Sequence, residues 1–366
     1  MDNKSIAIIG LGLIGGSLAK ALRRTNHNFY IIGMDRDEKN CQLAQEDGSV
    51  DIVTSNLEEA VKNAHVIFLC MPISSIPEML RKLAPLVQPG TILTDVGSIK
   101  TGIMKEAEQV LPKEIHFIGG HPMAGREHSG YAASIAHLFE NAYYVLTPRT
   151  GTPPSAVKDL QLIIASTGAL PLVLDPIIHD IRVGAVSHLP HIIAATLVNT
   201  VEGWDGPDKS GQKLAAGGFK DITRIASSQP EMWRDISLSN KEQLLPMISD
   251  FINKLNRFKQ ELESNNEMEI GNFYMEAKNY RDKIPSSDSL YLLPYYKVYV
   301  DIEDRPGSIG EVASFLGDKN VNIKNMQIIN SREDEPGCLV VSVEDKSAQG
   351  KAVSLLNQSG FYAYTR

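Results

Sequence analysis

Residues 5–118 alternate short apolar runs with longer stretches in which apolar and polar positions recur at helical spacing. Ser5-Ile6-Ala7-Ile8-Ile9, Phe29 to Met34, His65 to Cys70, Thr91 to Val96 and Ile115 to Ile118 read as strands, with Leu13 to Leu22, Asp37 to Glu46 and Ile99 to Val110 as helices between them. Such alternation predicts a parallel sheet with helices on both faces. Tyr143 to Leu146 and Leu170 to Leu174 are two further candidate strands, and the β signal stops near Asp175-Pro176. Helical patterns follow. Val183 to Val201 is apolar over much of its length, and Leu244, Ile248, Phe251, Ile252, Leu255, Phe258 and Leu262 form a stripe expected to be core or dimer interface. After a polar linker, Ser286 to Asp288, a new pattern begins at Tyr296: strand 297–302, helix 309–316, strands 321–329 and 339–343, helix 347–358 and strand 361–364. That β-α-β-β-α-β order fits a ferredoxin-like α+β fold.

The first strand runs into Gly10-Leu11-Gly12-Leu13-Ile14-Gly15, which opens the first helix, and the second strand ends at Asp35, about 20 residues beyond Gly15. In that context the glycines form a dinucleotide fingerprint. Gly10 permits the tight turn, Gly12 removes a side chain from the pyrophosphate path, Gly15 lets helix and sheet pack, and the helix N-terminus offers free N–H groups. Asp35 is placed to accept hydrogen bonds from the adenosine ribose, which favours NAD over NADP, although the adjacent Arg36 is a cation. Met71-Pro72 and Asp95-Val96-Gly97-Ser98 are later strand ends expected to line the same crevice. The expected fold class is α/β: an N-terminal Rossmann dinucleotide-binding domain (1–174), an all-helical middle domain for substrate binding and dimerisation (175–290) and a C-terminal ferredoxin-like domain (295–366).

With 366 residues, two or three domains are expected, and 43% apolar residues suffice for globular cores. The net charge of −8 disfavours nucleic acid or an anionic membrane as partner, so an anionic substrate must be met by locally gathered cations. Cys41, Cys70 and Cys338 include no CxxC pair, which suits a reducing cytoplasm and argues against a metal site. No uninterrupted apolar run reaches membrane-spanning length, and Met1-Asp2-Asn3-Lys4 leads directly into a strand.

His121 lies in Gly119-Gly120-His121-Pro122-Met123-Ala124-Gly125, where a strand is expected to end at the nicotinamide side of the crevice. An imidazole there is suited to exchange a proton at neutral pH. Ser98 reads equally as a hydroxyl bridging cofactor and substrate or as the N-cap of the helix at Ile99. His188 and His191 stand three apart on one helix, without the carboxylates or cysteines of a metal site. Arg224, among Ile222, Ile225 and Ala226, reads either as an ion pair with Asp221 or as a bidentate clamp on a substrate carboxylate.

The fingerprint, GGHPMAG at 119–125, SHLPH at 187–191, GGFKDITRIA at 217–226 and MWRD at 232–235 resemble the prephenate dehydrogenases, oxidoreductases of tyrosine biosynthesis. The resemblance, ordered along residues 5–262, implies NAD-dependent oxidative decarboxylation of prephenate to 4-hydroxyphenylpyruvate, with His121 as base and Ser98 orienting the hydroxyl. It further implies that Arg224 holds the ring carboxylate, that His191 contacts the pyruvyl chain, and that Gly217, His188, Glu127 and Trp233 belong to the substrate site, Trp233 reaching it from a neighbouring subunit. Arg126 departs from the small polar residue common before Glu127 and is able to pair with it. The tail resembles an ACT domain, which implies an amino-acid effector; L-tyrosine bound near Asp304, Pro306, Gly307 and Asn322 is the expectation, with a purely dimerising module as the alternative. A cytoplasmic homodimer is expected. Arogenate dehydrogenase, acting on the amino analogue, is the rival reading, and a non-catalytic amino-acid sensor is the alternative from another class.

Overall fold

The computed structural model describes residues 4–25, 27–126, 128–284, 296–303, 305–329 and 337–365. The chain divides into two compact units, Met1–Gln260 and Glu261–Arg366.

The first unit is built on eight strands: β1 (Ser5–Ile9), β2 (Tyr30–Met34), β3 (Ile52–Val53), β4 (Val66–Leu69), β5 (Ile92–Asp95), β6 (His116–Pro122), β7 (Tyr143–Pro148) and β8 (Leu170–Val173). Their order is β3-β2-β1-β4-β5-β6-β7-β8. The short β3 was not evident from the apolar pattern. Helices α1 (Leu13–Arg23), α2 (Glu38–Glu46), α3 (Leu57–Val61), α4 (Ile76–Leu83), α5 (Thr101–Val110) and α6 (Pro154–Ser166) connect the strands. Ile6 and Ile8 of β1 enter one core with Phe68, while Ala7 and Ile9 enter another with Ile67 and Leu69. Both faces of these strands are covered, so their runs are continuously apolar instead of alternating.

The expectation of an all-parallel sheet is corrected at β6. This strand pairs in parallel with β5 through His116 and Phe117. It then pairs antiparallel with β7 from Ile118↔Pro148 to Pro122↔Tyr144. Apolar periodicity is the same in either direction, so the reversal left no trace in the pattern. The strand runs through His121 and ends at Pro122, so the histidine stands at the expected strand end, beyond the apolar run that marked it.

The remaining helices are α7 (Pro176–Val183), α8 (Leu189–Trp204), α9 (Ser210–Leu214), α10 (Gly217–Thr223), α11 (Pro230–Ser239), α12 (Lys241–Glu263) and α13 (Glu267–Arg281). Asp175 caps α7 by accepting from Ile177 N at 2.8 Å and Ile178 N at 3.1 Å. A π-helical turn, Gly184–His188, joins α7 to α8 without a break. The resulting helix from Pro176 to Trp204 has 29 residues and contains an 18-residue stretch of mean hydropathy 1.4, long and apolar enough to cross a membrane by length and composition. It nevertheless carries Asp180, Arg182 and three histidines, and Asp180 is tied to the backbone of Lys100 and Thr101 in the sheet region. Ile177, Ile178, Val186 and Trp204 are exposed on it, as are Leu238, Leu245, Ile252 and Leu255 on α11 and α12.

The second unit contains the four-stranded sheet β9 (Tyr296–Ile302), β10 (Ile323–Ile329), β11 (Gly337–Val343) and β12 (Tyr362–Tyr364), with α14 (Ser308–Asp318) and α15 (Lys346–Gln358). All three pairings are antiparallel and the order is β10-β11-β9-β12. This is the expected ferredoxin-like arrangement. Val298, Val300, Val341, Val312, Leu316 and Leu356 form its core. The linker read at Ser286 to Asp288 lies outside the described residues.

Candidate active site

The turn from β1 into α1 depends on missing side chains. Gly10 has φ +102°, and a Cβ there would stand 2.1 Å from the Cys70 carbonyl oxygen. A Cβ on Gly15 would lie 1.9 Å from the Gly10 oxygen, whereas one on Gly12 would meet nothing within 4 Å. Gly10 and Gly15 therefore satisfy the turn and the helix–sheet contact, and Gly12 faces open space. Gly12 is also the N-cap of α1, with no side-chain cap bond and no acidic residue in the first turn. This open, uncapped helix end fits the pyrophosphate of a dinucleotide. Asp35, just past β2, accepts from Leu11 N at 2.5 Å and from Asp37 N at 2.8 Å, so its carboxylate is oriented by the turn itself. Arg36 is exposed, and Met71 and Pro72 follow β4.

A cavity of about 800 Å³ opens beside the first residues of α1, lined among others by Leu13, Ile14, Ser98, His121, His188, His191, Arg224 and Trp233. Residues that lie more than a hundred positions apart in the chain thus meet in one space. Ser98 is not a helix N-cap, since α5 starts at Thr101 with Lys100 in the capping position. Arg126 also borders the cavity, while Gly217 starts α10 and does not line it. Trp233 of the same chain lines it, stacked on His191 with ring centroids 3.5 Å apart. Its indole nitrogen is buried without a hydrogen-bond partner. Glu127 lies outside the described residues.

His121 is buried, only 8% exposed, and its Nδ1 lies 2.8 Å from Nε2 of His179. Burial, reinforced by neighbours His179, Lys100 and His188 that oppose a further positive charge beside them, holds it well below the usual histidine range. His179 Nδ1 is 2.7 Å from Oδ1 of Asp180. Asp180 accepts from the backbone N–H groups of Lys100 and Thr101, each at 2.8 Å. Burial opposes its ionisation, but the bonds from His179, Thr101 and the two backbone groups outweigh that and hold the carboxyl below its ordinary value. No local motif pointed to His179 or Asp180. The only available signal was a His-Asp pair following a helix cap.

Beneath β6, the fully buried Lys100 pairs with Asp95 and donates to Gly120 O at 2.6 Å. A Cβ at Gly120 would stand 2.4 Å from the Asp95 oxygen, so that close approach requires glycine beside the histidine. Asn240 donates to Asp180 O at 3.1 Å and to His188 Nδ1 at 3.0 Å, which places the His188 proton on Nε2. Burial pushes His188 down to about 4. His191 donates from Nδ1 to Ser187 O at 2.9 Å, and burial lowers it too.

In the second unit a cavity of about 330 Å³ is lined by Asp301, Glu303, Arg305, Ser308, Glu311 and Tyr362, among others. Ser308 Oγ is buried and lacks a partner. Gly307, at φ +97°, precedes α14, but Pro306, Gly307 and Asn322 do not line this cavity; Asp304 lies outside the described residues.

Comparison with known proteins matches three family models: the prephenate dehydrogenase nucleotide-binding domain over residues 18–172, the prephenate dehydrogenase dimerization domain over 175–276 and the ACT domain over 296–360. A prephenate dehydrogenase of Bacillus subtilis is 36% identical over 359 residues, covering 98% of this chain and 97% of that one. The crystal structure of prephenate dehydrogenase from Aquifex aeolicus with hydroxyphenyl propionate and NAD+ aligns with TM-score 0.72 and 34% identity, covering 78% of this chain and 99% of that one. Synechocystis arogenate dehydrogenase aligns with TM-score 0.70 and 35% identity, covering 77% and 100%.

Proposed function

This chain belongs to the prephenate dehydrogenase family, and from that premise we propose that it converts prephenate and NAD to 4-hydroxyphenylpyruvate, carbon dioxide and NADH, with His121 as the base. The observation that carries the proposal is the meeting of His121, Ser98 and Arg224 in one cavity beside the uncapped start of α1. NAD, when bound, supplies the hydride acceptor. His121 takes the proton of the ring hydroxyl and returns it to the phenol oxygen after the ring carboxylate has left, so the reaction balances without an external base. Ser98 orients that hydroxyl, and the Arg224 guanidinium suits the ring carboxylate. His191 and the Nε2–H of His188 serve the side chain. Asp35 supports NAD over NADP, because a 2′-phosphate would meet its carboxylate.

The fixed charges lining the cavity among the described residues, Arg126 and Arg224, are both cationic. Both candidate substrates carry two carboxylates, and the described lining offers no acidic partner for the side-chain ammonium of arogenate, which favours prephenate. We read the chain as three domains, 1–174, 175–290 and 295–366, working as a cytoplasmic homodimer joined through the exposed apolar faces of α8, α11 and α12. The cavity at α14 is read as an amino-acid site through which L-tyrosine acts.

The test follows NADH absorbance with prephenate and with arogenate, for wild type and His121→Asn. Prephenate should be preferred, and the variant should lose about 10²–10⁴ in rate while keeping NAD binding. Absence of NADH formation with either substrate, or an active variant, overturns the reading. Tyrosine should release heat in calorimetry and slow the full chain but not one lacking residues 291–366. No heat and unchanged kinetics remove tyrosine from the account.

A further inference from the structure

The cavity does not show what holds the His121 ring in a form able to accept a proton. A neutral imidazole has two tautomers, and only one leaves the cavity-side nitrogen bare. The buried chain His121–His179–Asp180 answers this, because each of its links admits one donor. Asp180 is an acceptor only, already anchored by two backbone N–H groups at the start of α5. His179 must therefore carry its proton on Nδ1, the nitrogen 2.7 Å from Asp180. With that proton on Nδ1, the Nε2 of His179 is the accepting end of the pair, and the donor facing it among the described residues is Nδ1–H of His121 at 2.8 Å.

We propose that His179 and Asp180 are positioning residues for the dehydrogenation, fixing the His121 proton on Nδ1 so that Nε2 is the bare nitrogen that meets the substrate hydroxyl. The inference rests on His121 being the base. Neither residue lines the cavity, and both act through His121. The same chain works a second time when His121 becomes an imidazolium: its Nδ1–H already points to an acceptor backed by a carboxylate, so the new charge is stabilised without rearrangement. The rings are held edge to face, with centroids 5.0 Å apart and planes at 75°, which keeps the nitrogens aligned. Both His179 and Asp180 are buried to within 1% exposure, so water does not compete for the bonds. Asp180 remains ionised against the cost of burial because four donors converge on it.

Other charges around His121 do not supply this function. Lys100 is neutralised by Asp95 and bonded to Gly120 O. His188 receives its bond from Asn240 and carries its proton on the other nitrogen. Of the groups that act on His121, only His179 bonds its ring.

The first test needs no substitution and no cofactor. Nitrogen-15 spectra of histidine-labelled full chain should show His121 with a pyrrole-like Nδ1 and a pyridine-like Nε2; the reverse pattern overturns the proposal. The second test compares Asp180→Asn, which keeps one oxygen for the α5 backbone, with wild type. We expect kcat to fall about 10²–10³-fold with KM changed less than threefold, a smaller loss than when the aspartate of a serine-protease triad is neutralised. The acid limb of the kcat/KM profile should move to lower pH, since removing the anion behind His179 makes His121 a weaker base. His179→Gln, whose amide oxygen is able to accept from Nδ1–H, should recover part of the activity that His179→Leu loses. A change in KM alone, an unshifted acid limb, or equal activity of the glutamine and leucine variants shows a structural role only and overturns the proposal. If His121→Asn is fully active while the spectra show the expected tautomer, the base assignment has failed and not the relay.

Discussion

Replacing Lys100 by methionine tests whether the ground under the catalytic strand is electrostatic. Lys100 and Asp95 are both 0% exposed, and the ammonium also bonds the Gly120 carbonyl, one residue before His121. Asp95 would keep its bonds from Gly97 N at 2.8 Å and Gly120 N at 3.1 Å but would lose its counter-charge in a dry site. Breaking one side of such a pair costs about 3–5 kcal/mol, because the remaining charge is buried and uncompensated. The assay is urea unfolding followed by tryptophan fluorescence. The chain has two tryptophans, Trp204 and Trp233, and both lie in the first unit, so the signal reports that unit. The double variant Asp95→Asn/Lys100→Met removes the stranded charge and keeps an amide oxygen for one of the two backbone donors. It should recover all but about 1–2 kcal/mol, the scale of an imperfect neutral hydrogen bond. A loss below about 1 kcal/mol for Lys100→Met, or a double variant no more stable than the single one, would refute the argument from charge.

Two further outcomes follow from geometry. Gly15→Ala places a methyl 1.9 Å from the Gly10 oxygen, so α1 must withdraw from the turn, and calorimetry should show NAD binding at least about tenfold weaker, or 1.4 kcal/mol; unchanged affinity contradicts the placement of the dinucleotide. His188 is neutral in the fold with its pKa lowered to about 4, so between that value and the ordinary histidine value the unfolded chain binds the proton that the folded chain refuses. Its stability contribution is present above the unfolded value and is lost as pH falls, by about 2 kcal/mol from pH 7 to pH 5; His188→Gln should flatten the urea-midpoint decline over that interval.

The parts of the site that a reader of the sequence recovers are those set by neighbours in the chain. Gly10, Gly12, Gly15 and Asp35 announce themselves because a turn, a helix start and a strand end all fall within a short span, and His121 is marked by the glycines that let Asp95 and Lys100 approach it. His179 and Asp180 carry no such local mark. Their significance arises from contacts with His121 and with the start of α5, 58 and about 80 positions away, which only the folded chain creates. The reversal at β7 was hidden because alternation has no direction, and Ser98 looked like a cap because the helix was expected to begin two residues earlier than it does.

The π-helical turn sets the phase of the site. His179 and His191 are separated by twelve positions, which in an uninterrupted α-helix at about 100° per residue would leave them about 120° apart around the axis. The extra residue taken up by Gly184–His188 cancels one such step, and His191 returns to within about 20° of the face that carries His179. The two halves of the site, one serving the proton and one serving the substrate's side chain, are therefore synchronised by a single inserted residue. Substitutions within the turn leave that synchrony intact. A one-residue deletion between Gly184 and His188 would swing His188 and His191 away together, so the mutational step that makes or unmakes this arrangement is a change of length.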